Sequence, residues 1–272
     1  MKTMTKPTIL PSFFISHGGG PWSYMDGEFR NNFKQLESSL QQIPSLLEEK
    51  PNAVLMISAH WQTNEISVSS NPQPPMIYDY GGFPDETYHI TYPAPGSPRL
   101  AQQVQQLITE ADINCKIDPD RGFDHGTFVP MSVIYPAADV PLVQLSIHRD
   151  SNPNLHLALG KALAPLRNEG VLIIGSGLSY HNLRNFGPSA RQSSKEFDDW
   201  LQLTLCHNSY DERADRLIHW EQAPSARQAH PHEDHLLPLL VAVAAAENEH
   251  ASCIYHEEEF FGGISVSGFR FG

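Results

Sequence analysis

Two periodicities alternate along this chain, and their alternation constrains its fold more than any other feature. Short runs of β-branched and other apolar residues, each closed by a polar or turn-prone residue, interleave with segments whose apolar residues recur every three or four positions. Buried strands alternating with amphipathic helices make a layered α/β fold, not a bundle or a sandwich. Residues 8–16, 53–59, 141–147 and 171–175 read as buried strands, and shorter strands are expected over 66–69, 113–117 and 264–271. The first long helix carries Phe29, Phe33, Leu36, Leu40 and Ile43 on one face and ends at Pro44. A second opens at Ser97-Pro98, an N-cap followed by proline, and turns Leu100, Val104, Leu107 and Ile108 inward. Further helices are expected over 155–167, 194–205 and 235–247. No internal repeat, charge run or linker divides the 272 residues, so residues 1–272 read as a single domain.

Charge and cysteine usage narrow the partners. A formal net charge of -13 argues against nucleic acid, because binding a phosphate backbone needs clustered Lys and Arg. The start of the chain carries Lys2 and Lys6 but runs into an apolar stretch too short for a secretory signal. No apolar run approaches the roughly 20 residues of a membrane span, so the expected location is cytoplasmic, with no membrane partner. Cys115, Cys206 and Cys253 are odd in number, far apart and without C-x-x-C spacing, which fits reduced thiols and not a thiolate metal site. If a metal is bound, histidine must carry it.

The chain has 14 histidines, and the placement of five matters. His17 directly follows the first expected strand in Ser16-His17-Gly18-Gly19-Gly20-Pro21, and His60 follows the second in Ser58-Ala59-His60-Trp61. The carboxyl edge of an open α/β sheet is where ligands bind, so two imidazoles there can converge on one metal. Either alone reads equally well as a satisfied polar residue at a strand end. His181 follows the fourth strand, His125 lies in Gly122-Phe123-Asp124-His125-Gly126, and His235 is expected in the first turn of the apolar helix it opens. His148, His156, His207, His219, His250 and His256 lack glycine punctuation and read as surface or structural residues, with His89 and His232 intermediate. Five histidines at one edge without cysteine suggest a metal with open coordination positions, iron or zinc. H-E-x-x-H, G-x-S-x-G and Walker-type strings are absent.

These strings, with Asp79-Tyr80-Gly81-Gly82-Phe83-Pro84, Tyr92-Pro93-Ala94-Pro95-Gly96-Ser97-Pro98 and His235-Leu236-Leu237-Pro238-Leu239-Leu240, resemble the DOPA-dioxygenase branch of the class III extradiol family, related to the protocatechuate 4,5-dioxygenase β-subunit. The resemblance runs through nearly the whole chain in order. It implies a three-layer α/β/α fold around a mostly parallel or mixed sheet. It also implies one divalent metal, Fe(II) for activity or Zn(II) as purified, and cleavage of a small catecholic substrate such as L-DOPA with O2. Carried over by motif, His17, His60 and His235 hold the metal, and His181 is a fourth ligand or a nearby base. His125 is the acid/base residue, and His125 and His181 are proton donor and acceptor in an order left open. A neutral imidazole with pKa near ~6.5 suits the removal of a catechol proton.

Residues 71–95, rich in Pro, Gly and Tyr, form a connection far longer than usual. With Tyr78, Tyr80, Phe83 and Tyr88 it is expected either to close over an aromatic substrate or to be a packed structural loop. Two other functions fit the histidines. One is a zinc-dependent hydrolase of a small amide or ester; the other is a non-catalytic metal-binding protein of the same fold.

Overall fold

A computed structural model describes residues 9–272. Among them the strands are β1 (Ser12–Ser16), β2 (Ala53–Thr63), β3 (Ile66–Ser69), β4 (Cys115–Asp118), β5 (Leu142–His148), β6 (Val171–Gly177), β7 (Ala251–Phe260) and β8 (Ile264–Phe271). The α-helices are α1 (Gly27–Asn31), α2 (Lys34–Gln42), α3 (Pro98–Glu110), α4 (His125–Ile134), α5 (Pro153–Leu163), α6 (Arg191–His207), α7 (Tyr210–Ile218), α8 (Ala226–Ala229) and α9 (Leu237–Ala245). The strands form one mixed sheet in the order β4-β3-β5-β2-β6-β1-β8-β7. Its centre, β5-β2-β6-β1, is parallel, while β3 runs against β5 and β8 against β1. The carboxyl ends of the four central strands therefore share one edge.

The period-2 alternation of β2 builds the two outer layers. Val54 and Met56 face a core with Leu36 and Leu40 of α2, Phe128 of α4 and Phe197 of α6. Leu55 and Ile57 face the opposite core with Val104 of α3, Leu159 of α5 and Leu237 and Val241 of α9. Each such side chain contributes about 1.5–3 kcal/mol by leaving water, and this burial on both faces fixes the strand's register. The three-layer α/β expectation is borne out. No helix of the described residues is long and apolar enough to cross a membrane.

Several elements depart from the sequence reading. Thr8, the first residue of the expected strand 8–16, lies outside the described residues, and β1 begins at Ser12. The expected helix over Phe29 to Ile43 is two helices, because the Asn32 side chain donates to the carbonyls of Glu28 and Phe29 and closes α1. Side-chain capture of those carbonyls competes with helix continuation. β2 does not end before His60: it runs to Thr63, and its pairing with β5 jumps from Ser58 to Gln62, so Ala59, His60 and Trp61 form a bulge. His235 precedes α9 and belongs to the turn leading into it. The strand expected over 113–117 is Cys115–Asp118. The strand β7 and the helices α4 and α7 had no counterpart in the sequence reading.

Candidate active site

The carboxyl edge of the sheet gathers His17, His60, His125, His181 and His235 around one cavity of about 370 Å³. β6 anchors two of them through its backbone. The His17 N–H donates to the Gly177 carbonyl (3.2 Å), and the Leu178 N–H donates to the His235 carbonyl (3.1 Å). This approach requires glycine at position 177, where a Cβ would lie 2.1 Å from the His235 carbonyl oxygen. The Gly-rich turn after β1 serves the same end: Gly20, at φ +54°, leaves room for the Phe83 ring, whose nearest atom is 2.4 Å from where its Cβ would be. The β2 bulge carries His60 out of the ladder, as bulges at sheet rims do.

The Nε2 atoms of His17 and His60 are 3.0 Å apart. Ser176 Oγ donates to the Gly126 carbonyl, so its contact with His17 Nδ1 (3.0 Å) requires the ring to donate there, leaving Nε2 as a lone pair. His60 Nδ1 lies 3.2 Å from Asp79 Oδ2, which favours the proton on Nδ1 and again frees Nε2. Two unprotonated nitrogens at this spacing fit two ligands of one divalent ion, since metal–nitrogen bonds of about 2.0–2.1 Å at ordinary angles separate ligand atoms by roughly 3 Å. His235 completes the group, and the ligand atoms of the three residues lie within 4.8 Å of one another. His235 Nδ1 is buried without a hydrogen-bond partner, although Asp234 Oδ2 is 3.2 Å away out of bonding geometry. The donor set thus fits a metal.

The other two histidines flank this triad. His125 opens α4, and Asp79 Oδ1 accepts from its Nδ1 (2.8 Å) and from its backbone N–H (2.9 Å). The His125 ring lies 4.0 Å from that of His60, centroid to centroid. His181, fixed by its N–H donating to the Ala229 carbonyl, stacks on His235 at 3.4 Å and groups with Asp234 and His235, not with His17 and His60. His148 ends β5 on the same edge, but its Nε2 contacts the Asn64 carbonyl and it takes no part in the cluster.

Burial, then the neighbouring imidazoles, hold His17 and His235 well below the ordinary histidine range. Burial lowers His181 to about 4 against the pull of Asp234, and it lowers His125 against the bond to Asp79. For His60 burial also acts downward, but Asp79, with Asp124 and Asp234 behind it, outweighs it and raises the pKa. Burial would raise the Asp79 carboxyl, yet His125 and His60 hold it below the usual carboxylate range. Burial thus favours the neutral form of four of these imidazoles, while the carboxylates around His60 favour a positive charge beside them, as a bound cation would also supply.

Asp79 is the site residue that sequence reasoning missed. Its signal was its place in a long Gly/Pro loop, where an acid has no periodic role. Of the loop aromatics expected over the site, only Phe83 lines the cavity. Tyr78 donates its hydroxyl to the Ile90 carbonyl (2.7 Å) and Tyr80 to the Thr87 carbonyl (2.5 Å), so these rings staple the loop to itself. Phe29 and Phe33, read from the sequence as helix core, also line it, as do Phe186, Phe260 and Phe261, none of which was singled out in the sequence.

Comparison with known proteins agrees with this geometry. The family described as the catalytic LigB subunit of aromatic ring-opening dioxygenase matches residues 11–271. The chain is 40% identical over 270 residues to the 4,5-DOPA dioxygenase extradiol of Beta vulgaris, with 97% of each chain covered. It is 35% identical over 266 residues to the protein of the same name from Portulaca grandiflora, with 96% of this chain and 95% of that one covered. Among solved structures it is similar to an uncharacterized protein from Escherichia coli K12, at a TM-score of 0.76 and 30% identity, covering 96% of this chain and 99% of the other.

Proposed function

Since the chain belongs to the LigB family of aromatic ring-opening dioxygenases, and so is a non-haem extradiol dioxygenase using a small aromatic substrate and O2, we propose that it opens a catechol at a histidine-held metal. The hydrolase and non-catalytic readings are set aside by that membership. L-DOPA, for which the plant relatives are named, is a first candidate substrate. In this reading His17, His60 and His235 hold one divalent ion, Fe(II) for turnover, with Zn(II) able to occupy the same nitrogens. Residues 1–272 act as one catalytic domain.

The observation that carries the proposal is the convergence of the three imidazoles, two with Nε2 freed by bonds or charge at Nδ1, in the lining of a largely apolar cavity. Held by His17, His60 and His235, Fe(II) would supply the redox chemistry that lets O2 react with the substrate ring. The chain supplies the proton handling. With its Nδ1–H given to Asp79, His125 keeps Nε2 as a base for a catechol hydroxyl, and the Asp79 carboxylate stabilises the imidazolium that results. His181, stacked on His235 at the opposite side, is the second proton carrier. Phe33, Phe83 and Phe186 exclude water and give the substrate ring an aromatic bed.

The test is anaerobic loading of chelator-stripped protein with Fe(II), followed by oxygen uptake and a yellow semialdehyde product across a catechol panel. Uptake lost in His125→Ala, and absent from zinc-loaded protein, is the expected result. One tightly bound metal with no uptake for any catechol would refute the proposal.

A further inference from the structure

The titratable groups lining the cavity are the five histidines and Asp79. The rest of its lining is glycine, leucine and phenylalanine, and among the described residues no lysine or arginine lines it. Asp79 is committed to His125 and His60. Two cations beside the walls are paired, Arg30, next to Phe29, with Glu37, and Arg191, against the turn between β7 and β8, with Glu259; Arg184, exposed beside Leu183, is not among the lining residues.

That turn holds the most telling residue. Phe261 has φ +47° and is followed by Gly262 at +83°, a pair of left-handed positions where hairpins favour Asn, Asp or Gly first. A bulky aromatic there is strained, and strain of this kind collects at functional sites. Its ring packs on Phe33 (5.3 Å), Phe186 (5.2 Å) and Phe260 (4.9 Å) and lines the cavity. Leu183, 71% exposed, lines the same cavity, an apolar side chain left uncovered in water.

We propose that Phe261, with Leu183, sets specificity for catechols whose ring substituent is uncharged and apolar, such as alkyl- and arylcatechols, over catechols bearing a zwitterionic amino-acid side chain. The inference rests on the catechol reading above and narrows it. A carboxylate and an ammonium entering this cavity lose water and meet no lysine or arginine among its lining residues, whereas a hydrocarbon substituent gains burial against Phe261 and Leu183.

The experiment is calorimetric binding of 4-phenylcatechol and of L-DOPA to zinc-loaded protein under argon, with kcat/KM for both on the Fe(II) enzyme. 4-Phenylcatechol is expected to bind more tightly by about tenfold or more. Phe261→Asn, suited to a positive φ, should weaken 4-phenylcatechol binding more than L-DOPA binding and so bring the ratio toward one; Leu183→Ser, at an exposed position, should lower it in the same direction. L-DOPA binding as tightly as 4-phenylcatechol would overturn the inference and point to Arg184, exposed beside Leu183, as a carboxylate partner. An unchanged ratio in both variants would overturn it too. Absence of binding by either ligand, with no oxygen uptake for any catechol, would instead refute the catechol reading itself.

Discussion

One oxygen of Asp79 accepts from His125 twice, from the ring Nδ1 at 2.8 Å and from the backbone N–H at 2.9 Å, across 46 residues of chain. The 71–95 loop is thereby tied to the first turn of α4, and the tautomer of His125 is fixed by the same contact. The second oxygen, 3.2 Å from His60 Nδ1, extends this control to a proposed metal ligand.

Asp79→Asn keeps the shape but exchanges one acceptor oxygen for an NH2 group that faces an imidazole N–H. Activity or metal affinity is expected to fall by about 10–100-fold, the usual effect of removing a group that orients a ligand. The urea midpoint should hardly move, because the loop's tyrosine staples remain. Steady-state kinetics and metal content on the same preparation check this. Wild-type values for both would reduce Asp79 to a packing residue.

Asp124 poses a stability question. It is fully buried and accepts from Ser58 (2.8 Å), Thr127 (3.2 Å), Arg121 (2.6 Å) and the Gln144 amide. Its carboxylate balances the Arg121 guanidinium, which lies 4.8 Å over the Trp61 ring in the β2 bulge. Asp124→Ala leaves that cation and several donors unpaired, and should cost about 3–5 kcal/mol of unfolding free energy. Asp124→Asn, which retains one acceptor oxygen, should lose less. A loss below about 1 kcal/mol in urea titrations of the alanine variant would show that water replaces the carboxylate at the hub.

Much of this architecture was legible because it is written in local pattern. Val54 and Met56 against Leu55 and Ile57 announce a strand buried on both faces, and Ser97 does accept the Leu100 N–H that its N-cap position suggests. His17 stood out because glycines follow a strand end. The illegible parts depend on distant partners. The bulge at His60 exists only against the register of β5, and Asp79 gains its role only when the 71–95 loop meets α4. In β7 the three consecutive acids Glu257, Glu258 and Glu259 interrupt the apolar pattern by which the other strands were recognised. Pairing with β8 buries Glu257, where the Tyr255 hydroxyl donates to it at 2.8 Å.

His156 gives the stability a sign with pH. Its Nδ1 donates to the Asn152 carbonyl (2.7 Å), and its Nε2 accepts from the His148 N–H (3.1 Å), so the fold holds the neutral ring from both sides. Burial lowers its pKa to about 4, helped by His148 and opposed by the Asn152 contact. The unfolded chain, with the ordinary value of 6.5, takes up the proton first as pH falls. The contribution of His156 is therefore complete above pH 6.5 and is lost as pH drops toward 4, reaching about 3 kcal/mol in the limit. Urea unfolding at steps between pH 7 and 4.5 should show stability falling with acid, by up to about 1.4 kcal/mol per pH unit for this proton. His156→Gln, which has an amide donor and acceptor but no titration, should be less stable at pH 7 and lose less on acidification. Stability that holds or rises in the wild type as pH falls through this window would contradict a neutral, doubly bonded His156.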